Sequence, residues 1–132
     1  MAEHDPQMLK GVLGLLLLRL VSAQEDYGYS IVVRLHEHGF SELAEGTVYP
    51  ALSRLETQGL LEAHLVRSTS GPARKYYRPT AAGHVQMKRA GQLWHRLVAT
   101  VAPIVPLEGQ PLESPPSENP LPESPLSERT PR

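Results

Sequence analysis

Gly46-Thr47-Val48-Tyr49-Pro50-Ala51-Leu52-Ser53-Arg54-Leu55-Glu56-Thr57-Gln58-Gly59-Leu60-Leu61 reads as one short amphipathic helix running straight into a strand. Val48, Leu52 and Leu55 fall at i, i+4 and i+7, one apolar face at helical spacing. Thr47, Ser53, Arg54 and Thr57 lie off that face, so a small polar front with one cation points outward. Pro50 is expected in the first turn, where its missing N–H has no intrahelical partner to lose. Gly59 supplies a C-terminal stop, and Leu60-Leu61 return to the core. A helix with a buried back and a hydroxyl-and-Arg front is what a major groove accepts. Any solvated helix has the same shape, so its neighbours have to decide.

Upstream, Gly39 closes a helix predicted over 27–38, with Asp26 as its cap and Tyr27, Ile31, Val32 and Leu35 turned inward. Phe40, Leu43 and Ala44 bridge it to the opening stretch. Helix, connection, helix is the order of a helix-turn-helix, here with a connection longer than the tightest turn. Before it, Asp5-Pro6 starts a helix over 6–22, in which Leu9, Val12, Leu13, Leu16, Leu17 and Leu20 form one apolar stripe. Leu15 and Leu18 widen the stripe. Two readings stay open: a central core helix touched on two sides, or a helix that also meets another subunit.

Downstream of Gly59 the period changes from 3.6 to 2. Leu61, Ala63, Leu65 and Arg67 alternate with Glu62, His64, Val66 and Ser68, and a turn-rich loop leads into Arg74-Lys75-Tyr76-Tyr77-Arg78. This is a β-hairpin, and a hairpin after a recognition-type helix is a wing. Arg67, Arg74, Lys75 and Arg78 give it four cations, the residues that meet phosphates. Thr80 caps a last helix over about 81–101, about 30 Å long, in which Met87, Ala90, Leu93, Trp94, Leu97, Val98 and Val101 trace a stripe. A domain this small cannot cover all of it, so a partner helix from a second copy is the economical explanation.

Composition sets the outer limits. Nine of the 13 prolines fall in residues 103–132, which reads as a disordered tail, with Glu108, Glu113, Glu118, Glu123 and Glu128 at five-residue spacing. The tail carries net −3; the remaining residues hold nine acids and 11 bases, net +2, which neither demands nor excludes nucleic acid. There is no Cys, so disulfides, thiol catalysis and Cys-based zinc sites are excluded. The start of the chain lacks a signal-peptide basic region, and the apolar run from Val12 to Val21 is about half a membrane span. A soluble cytoplasmic protein without a membrane partner is expected. The six His form no metal site: His36 and His38 point to different sides of a helix. Nucleophile-elbow, P-loop and dinucleotide fingerprints are missing, so no enzyme and no cofactor are expected.

Tyr27-Gly28-Tyr29, the Gly46–Glu56 string with Gly59-Leu60-Leu61, and Arg74-Lys75-Tyr76-Tyr77 leading to Thr80-Ala81-Ala82-Gly83 resemble the PadR-like transcriptional regulators. The match covers about residues 8–100 and looks like the compact subfamily with a single helix after the wing. The resemblance implies a fold that is mainly α with a small β-hairpin: a winged helix-turn-helix plus a C-terminal dimerisation helix. It divides the chain into a DNA-binding domain (1–79), a dimerisation helix (80–102) and the Pro/Glu-rich tail (103–132). It implies a homodimer on double-stranded operator DNA with an inverted repeat, usually a repressor, often released by a small molecule.

Carried over by residue, Thr47, Tyr49, Pro50, Ser53 and Arg54 fall on the recognition helix, and Arg74 and Lys75 on the wing. Helix one, with Leu13 and Leu17, and Leu93, Trp94, Leu97, Val98 and Val101 fall on the dimer contact. Trp94, the single Trp, is either interface packing or a stacking surface for an apolar aromatic effector. Pro79 departs from the family pattern and is expected to shorten the second wing strand. Ala44-Glu45 stands where a capping Ser or Asp is more usual. The alternative function, from another class, is a winged-helix protein–protein module docking through the acidic proline-rich tail.

Overall fold

The computed structural model describes residues 4–109; the tail expectation, from residue 110 onward, lies outside the described residues. The chain runs α1 (Pro6–Ala23), β1 (Asp26–Tyr27), α2 (Gly28–Glu37), α3 (Glu45–Thr57), β2 (Leu61–Val66), β3 (Arg74–Pro79) and α4 (Ala81–Val101). Two compact units divide after Gln92, inside α4 rather than at residue 80. The first turns of α4 belong with the winged helix because Gly83 and Met87 are buried there.

Local signals explain the helix ends. Asp5 accepts a hydrogen bond from the Met8 N–H, capping α1 with Pro6 behind it. Gly59 has φ +78°, a conformation glycine adopts without Cβ strain. There the Leu60 N–H reaches the Leu55 carbonyl and the Gly59 N–H the Glu56 carbonyl, the bond pair that closes a helix and turns the chain toward β2. Thr80 accepts from the Gly83 N–H at 2.9 Å and donates to the Gly59 carbonyl at 2.6 Å. One side chain therefore caps α4 and pins it to the exit of α3.

Two expectations about helix starts change. Asp26 does not cap α2. It pairs with Tyr77 as the first residue of β1, and its carboxylate accepts from the Tyr27 N–H, Ser30 and Arg34. Arg34 also donates to the Leu20 carbonyl, so this buried acid and its cation join the end of α1 to the start of α2. The helix α3 starts at Glu45, uncapped by any side chain, so Pro50 falls in the second turn and not the first. Pro50 cannot donate to the Gly46 carbonyl there. Both residues are exposed, so solvent can satisfy that oxygen.

The sheet has three antiparallel strands in the order β1-β3-β2, one more than the expected hairpin. The register of β2 on β3 runs from Leu61 opposite Pro79 to Val66 opposite Arg74. Pro79 therefore lies inside β3 and does not shorten it. Leu61 and Tyr77 are buried at the base, while Leu65 is exposed, because the outer half of the hairpin extends past the core as a wing.

The core is built from Leu17, Leu18 and Val21 of α1, Ile31 and Leu35 of α2, and Val48 and Leu52 of α3. By length and composition α1 could cross a membrane, longer than its apolar run suggested, yet its buried residues belong to this core. Leu13 and Leu17, expected at the dimer contact, are buried within this chain: Leu17 has 0% exposure and Leu13 6%.

Candidate nucleic-acid interface

At about 100° per residue, the buried face of α3 (Val48, Ala51, Leu52 and Leu55) leaves an outward arc of three strips. Directly opposite the core lie Gly46, Pro50, Ser53 and Thr57, all exposed and uncharged. On one flank, Thr47, Arg54 and Gln58 border a groove of about 720 Å³ whose other walls include Lys10 and Leu15 of α1 and Gln86 of α4. On the other flank, Tyr49 and Glu56 turn toward β3. The sequence placed Thr47, Ser53, Arg54 and Thr57 on one polar front, and the resemblance added Tyr49; the fold distributes these residues over three directions.

The wing flank is an open concavity of about 510 Å³ lined by Tyr27, Tyr29, Tyr49, Tyr77, Arg74 and Lys75. Gly28 forms its floor. A Cβ there would stand 2.8 Å from the Tyr49 ring, so the missing side chain is what lets this tyrosine lie against the start of α2. Burial, followed by the charge of Glu45 one turn earlier, pushes the Tyr49 phenol above its ordinary pKa. The phenol therefore stays neutral at physiological pH.

Lys75 stands beside α3, and Arg74 reaches the same concavity from the other face of β3; neither hangs free. The Arg74 guanidinium stacks 4.5 Å over the Tyr27 ring. The Lys75 Nζ lies 3.0 Å from Glu56 Oε1 and 5.5 Å over the Tyr77 ring. The hydrogen bond to Glu56 is the main reason the Lys75 ammonium is held above its ordinary pKa. Arg78, on the opposite side of β3 from Lys75, pairs with Glu62 at 2.9 Å and with Glu25 at 3.6 Å, which removes it from the set of cations facing α3.

The sequence reading missed Tyr29, Gln58 and Glu56 as neighbours of the site. Tyr27-Gly28-Tyr29 stood out as a motif, and its exposed second tyrosine was the available signal. Glu56 gave none, since its partner Lys75 lies 19 residues away in sequence.

In the second half of α4, Leu93, Trp94, Leu97, Val98 and Val101 are each 41–59% exposed, an apolar row on one helix. Trp94 meets His95 edge-on, with centroids 4.9 Å apart.

The profile of the transcriptional regulator PadR-like family matches residues 17–89. A PadR-like transcriptional regulator from Bacillus cereus superposes with a TM-score of 0.70 at 40% identity, covering 79% of this chain and 99% of that one. A PadR family transcriptional regulator from Eggerthella lenta gives 0.68 at 34% identity, covering 79% and 88%. In sequence, a transcriptional regulator from Mycobacterium tuberculosis is 37% identical over 71 residues, 54% of this chain and 64% of that protein. An uncharacterised protein from Lysinibacillus sphaericus is 30% identical over 89 residues, 66% and 82%.

Proposed function

This chain belongs to the PadR-like family of transcriptional regulators, and from that premise we propose that it is a homodimeric repressor that binds an inverted-repeat operator. The family consists of regulators rather than enzymes, and the winged helix is its DNA-binding fold. The observation that carries the finer reading is the surface shared by α3 and the wing. The uncharged strip of Gly46, Pro50, Ser53 and Thr57 faces straight out between Arg54 on one flank and Arg74 with Lys75 on the other.

In this reading the middle strip enters the major groove. Ser53 and Thr57 offer hydroxyls to base edges, and the Pro50 ring offers an apolar contact of the kind that suits a thymine methyl. Thr47 and Arg54 on one side, and Tyr49, Arg74 and Lys75 on the other, meet the phosphates that fix register. The exposed row on α4 supports a homodimer that places two recognition helices about 34 Å apart. Trp94 in that row suits an apolar aromatic effector that stacks on the indole and shifts the spacing of the two α3 helices. The site of action is the cytoplasm, and the tail takes no part in DNA contact.

The test is binding to DNA upstream of the protein's own gene at several salt concentrations. Affinity is expected to fall steeply with salt, and each of Arg74→Ala and Lys75→Ala to reduce the slope by about 0.9. Failure to shift any neighbouring promoter at low salt would sink the reading in favour of a protein–protein module.

A further inference from the structure

The edge of α3 that faces the wing is acidic. Glu45 opens the helix, Glu56 lies near its end, and Tyr49 stands between them on the same flank. Alternation along β3 puts Lys75 and Tyr77 toward α3, whereas Arg78 points to the other face and pairs with Glu62. Lys75 is thus the β3 cation tied to the recognition helix, at 3.0 Å from Glu56 Oε1.

An ammonium already neutralised by a carboxylate does not neutralise a phosphate, so it displaces no condensed counterion from DNA and adds little to the salt-dependent attraction. The pair is half-exposed, with side chains 49% and 35% accessible, and pairs of that kind open readily. Opening is favourable only when a phosphate takes the place of Glu56 at direct contact. A complex held in register by base contacts presses the wing onto the backbone and supplies such a phosphate. A loosely seated complex on unrelated sequence keeps water in between and leaves the pair closed.

Building on the DNA-binding reading above, we propose that Glu56 is a specificity-determining residue: it masks Lys75 on unrelated DNA and yields it to a phosphate in the operator complex. Glu56 touches no base, yet it sets how much of the wing's charge is spent on the wrong sequence.

The test uses the full chain and two duplexes, one selected by the protein from a random-sequence pool and one of the same composition scrambled. Glu56→Gln is expected to steepen the salt slope on the scrambled duplex by about 0.9 and leave the slope on the selected duplex unchanged. The selected-to-scrambled affinity ratio should fall about threefold at low salt, the effect of one added phosphate contact. Glu45→Gln removes the same charge from the same edge without freeing Lys75, and should leave both slopes unchanged. Lys75→Gln should flatten the selected slope by about 0.9 and spare the scrambled one.

An unchanged scrambled slope in Glu56→Gln overturns the proposal. So does weaker binding to both duplexes, which would make Glu56 a mere support for Lys75. If Glu56→Gln does not fold, equal flattening of both slopes by Lys75→Gln overturns it instead. A wild-type protein that selects no sequence and binds neither duplex removes the DNA-binding reading and this inference together.

Discussion

α1 and α4 carry the same kind of signal, Leu- and Val-rich stripes at helical spacing, and come to opposite ends. In α1 the stripe closes on the chain's own α2, α3 and sheet, with Leu17 and Leu18 fully buried. In the second half of α4 the stripe stays exposed, from Leu93 to Val101. Periodicity reports that a face will be covered; it does not say by which molecule. A central helix between other elements is covered from within, whereas the part of α4 past the first compact unit leaves its stripe open.

The contrast can be broken at several points. The largest effect is expected for Leu17→Ala, which should cost about 2–5 kcal/mol in urea unfolding because the cavity opens in a closed core; a cost near zero would mean that α1 is not the covered stripe. Next, Leu93→Asp combined with Leu97→Asp should give a monomer by sedimentation that remains folded, with operator affinity reduced about a hundredfold through loss of two-site binding. A dimer that survives both charges would move the subunit contact off α4.

A smaller effect should separate the two halves of α4 through its glycines. A Cβ on Gly83 would collide with the Leu60 carbonyl oxygen, whereas a Cβ on Gly91 would meet nothing within 4 Å. Gly83→Ala is therefore expected to destabilise by about 1–3 kcal/mol, as overpacking does. Gly91→Ala should stabilise by about 0.5–1 kcal/mol through helix propensity. Thermal unfolding of both variants checks this, and a Gly91→Ala that lowers the dimer's melting temperature would sharpen the contrast by locating a partner at that turn. The smallest effect belongs to the tail: removing residues 103–132, net −3, should leave operator affinity nearly unchanged or slightly raise it in a titration at low salt.

Much of the fold was legible because its elements are long enough to show a period. The five longest apolar patterns gave α1, α2, α3, the β2–β3 hairpin and α4, and the caps at Asp5 and Thr80 and the stop at Gly59 came from local chemistry alone. β1 was not legible, since two residues have no period, and Asp26 looked like a helix cap while serving as a strand residue and a buried partner of Arg34. Pro50 was misplaced by a turn because α3 begins without a capping side chain to mark its start.

The candidate site was legible as a set of residues but not as an arrangement. Spacing put Thr47, Ser53, Arg54 and Thr57 off the apolar face and the resemblance added Tyr49; the packing of α3 against α1, α2 and β2 decided that they look in three directions. Arg74 and Lys75 were visible as wing cations, while their engagement with Tyr27 and Glu56 joins residues far apart in the chain.

By itself, the sequence determined the long helices and the hairpin, the faces that had to be buried and the family, because these depend on neighbours within a few residues. The tertiary structure decided which apolar stripe the chain covers itself, which polar residues look outward together, and that Lys75 meets the Glu56 carboxylate. Those outcomes depend on contacts between distant segments, and no local pattern encodes them.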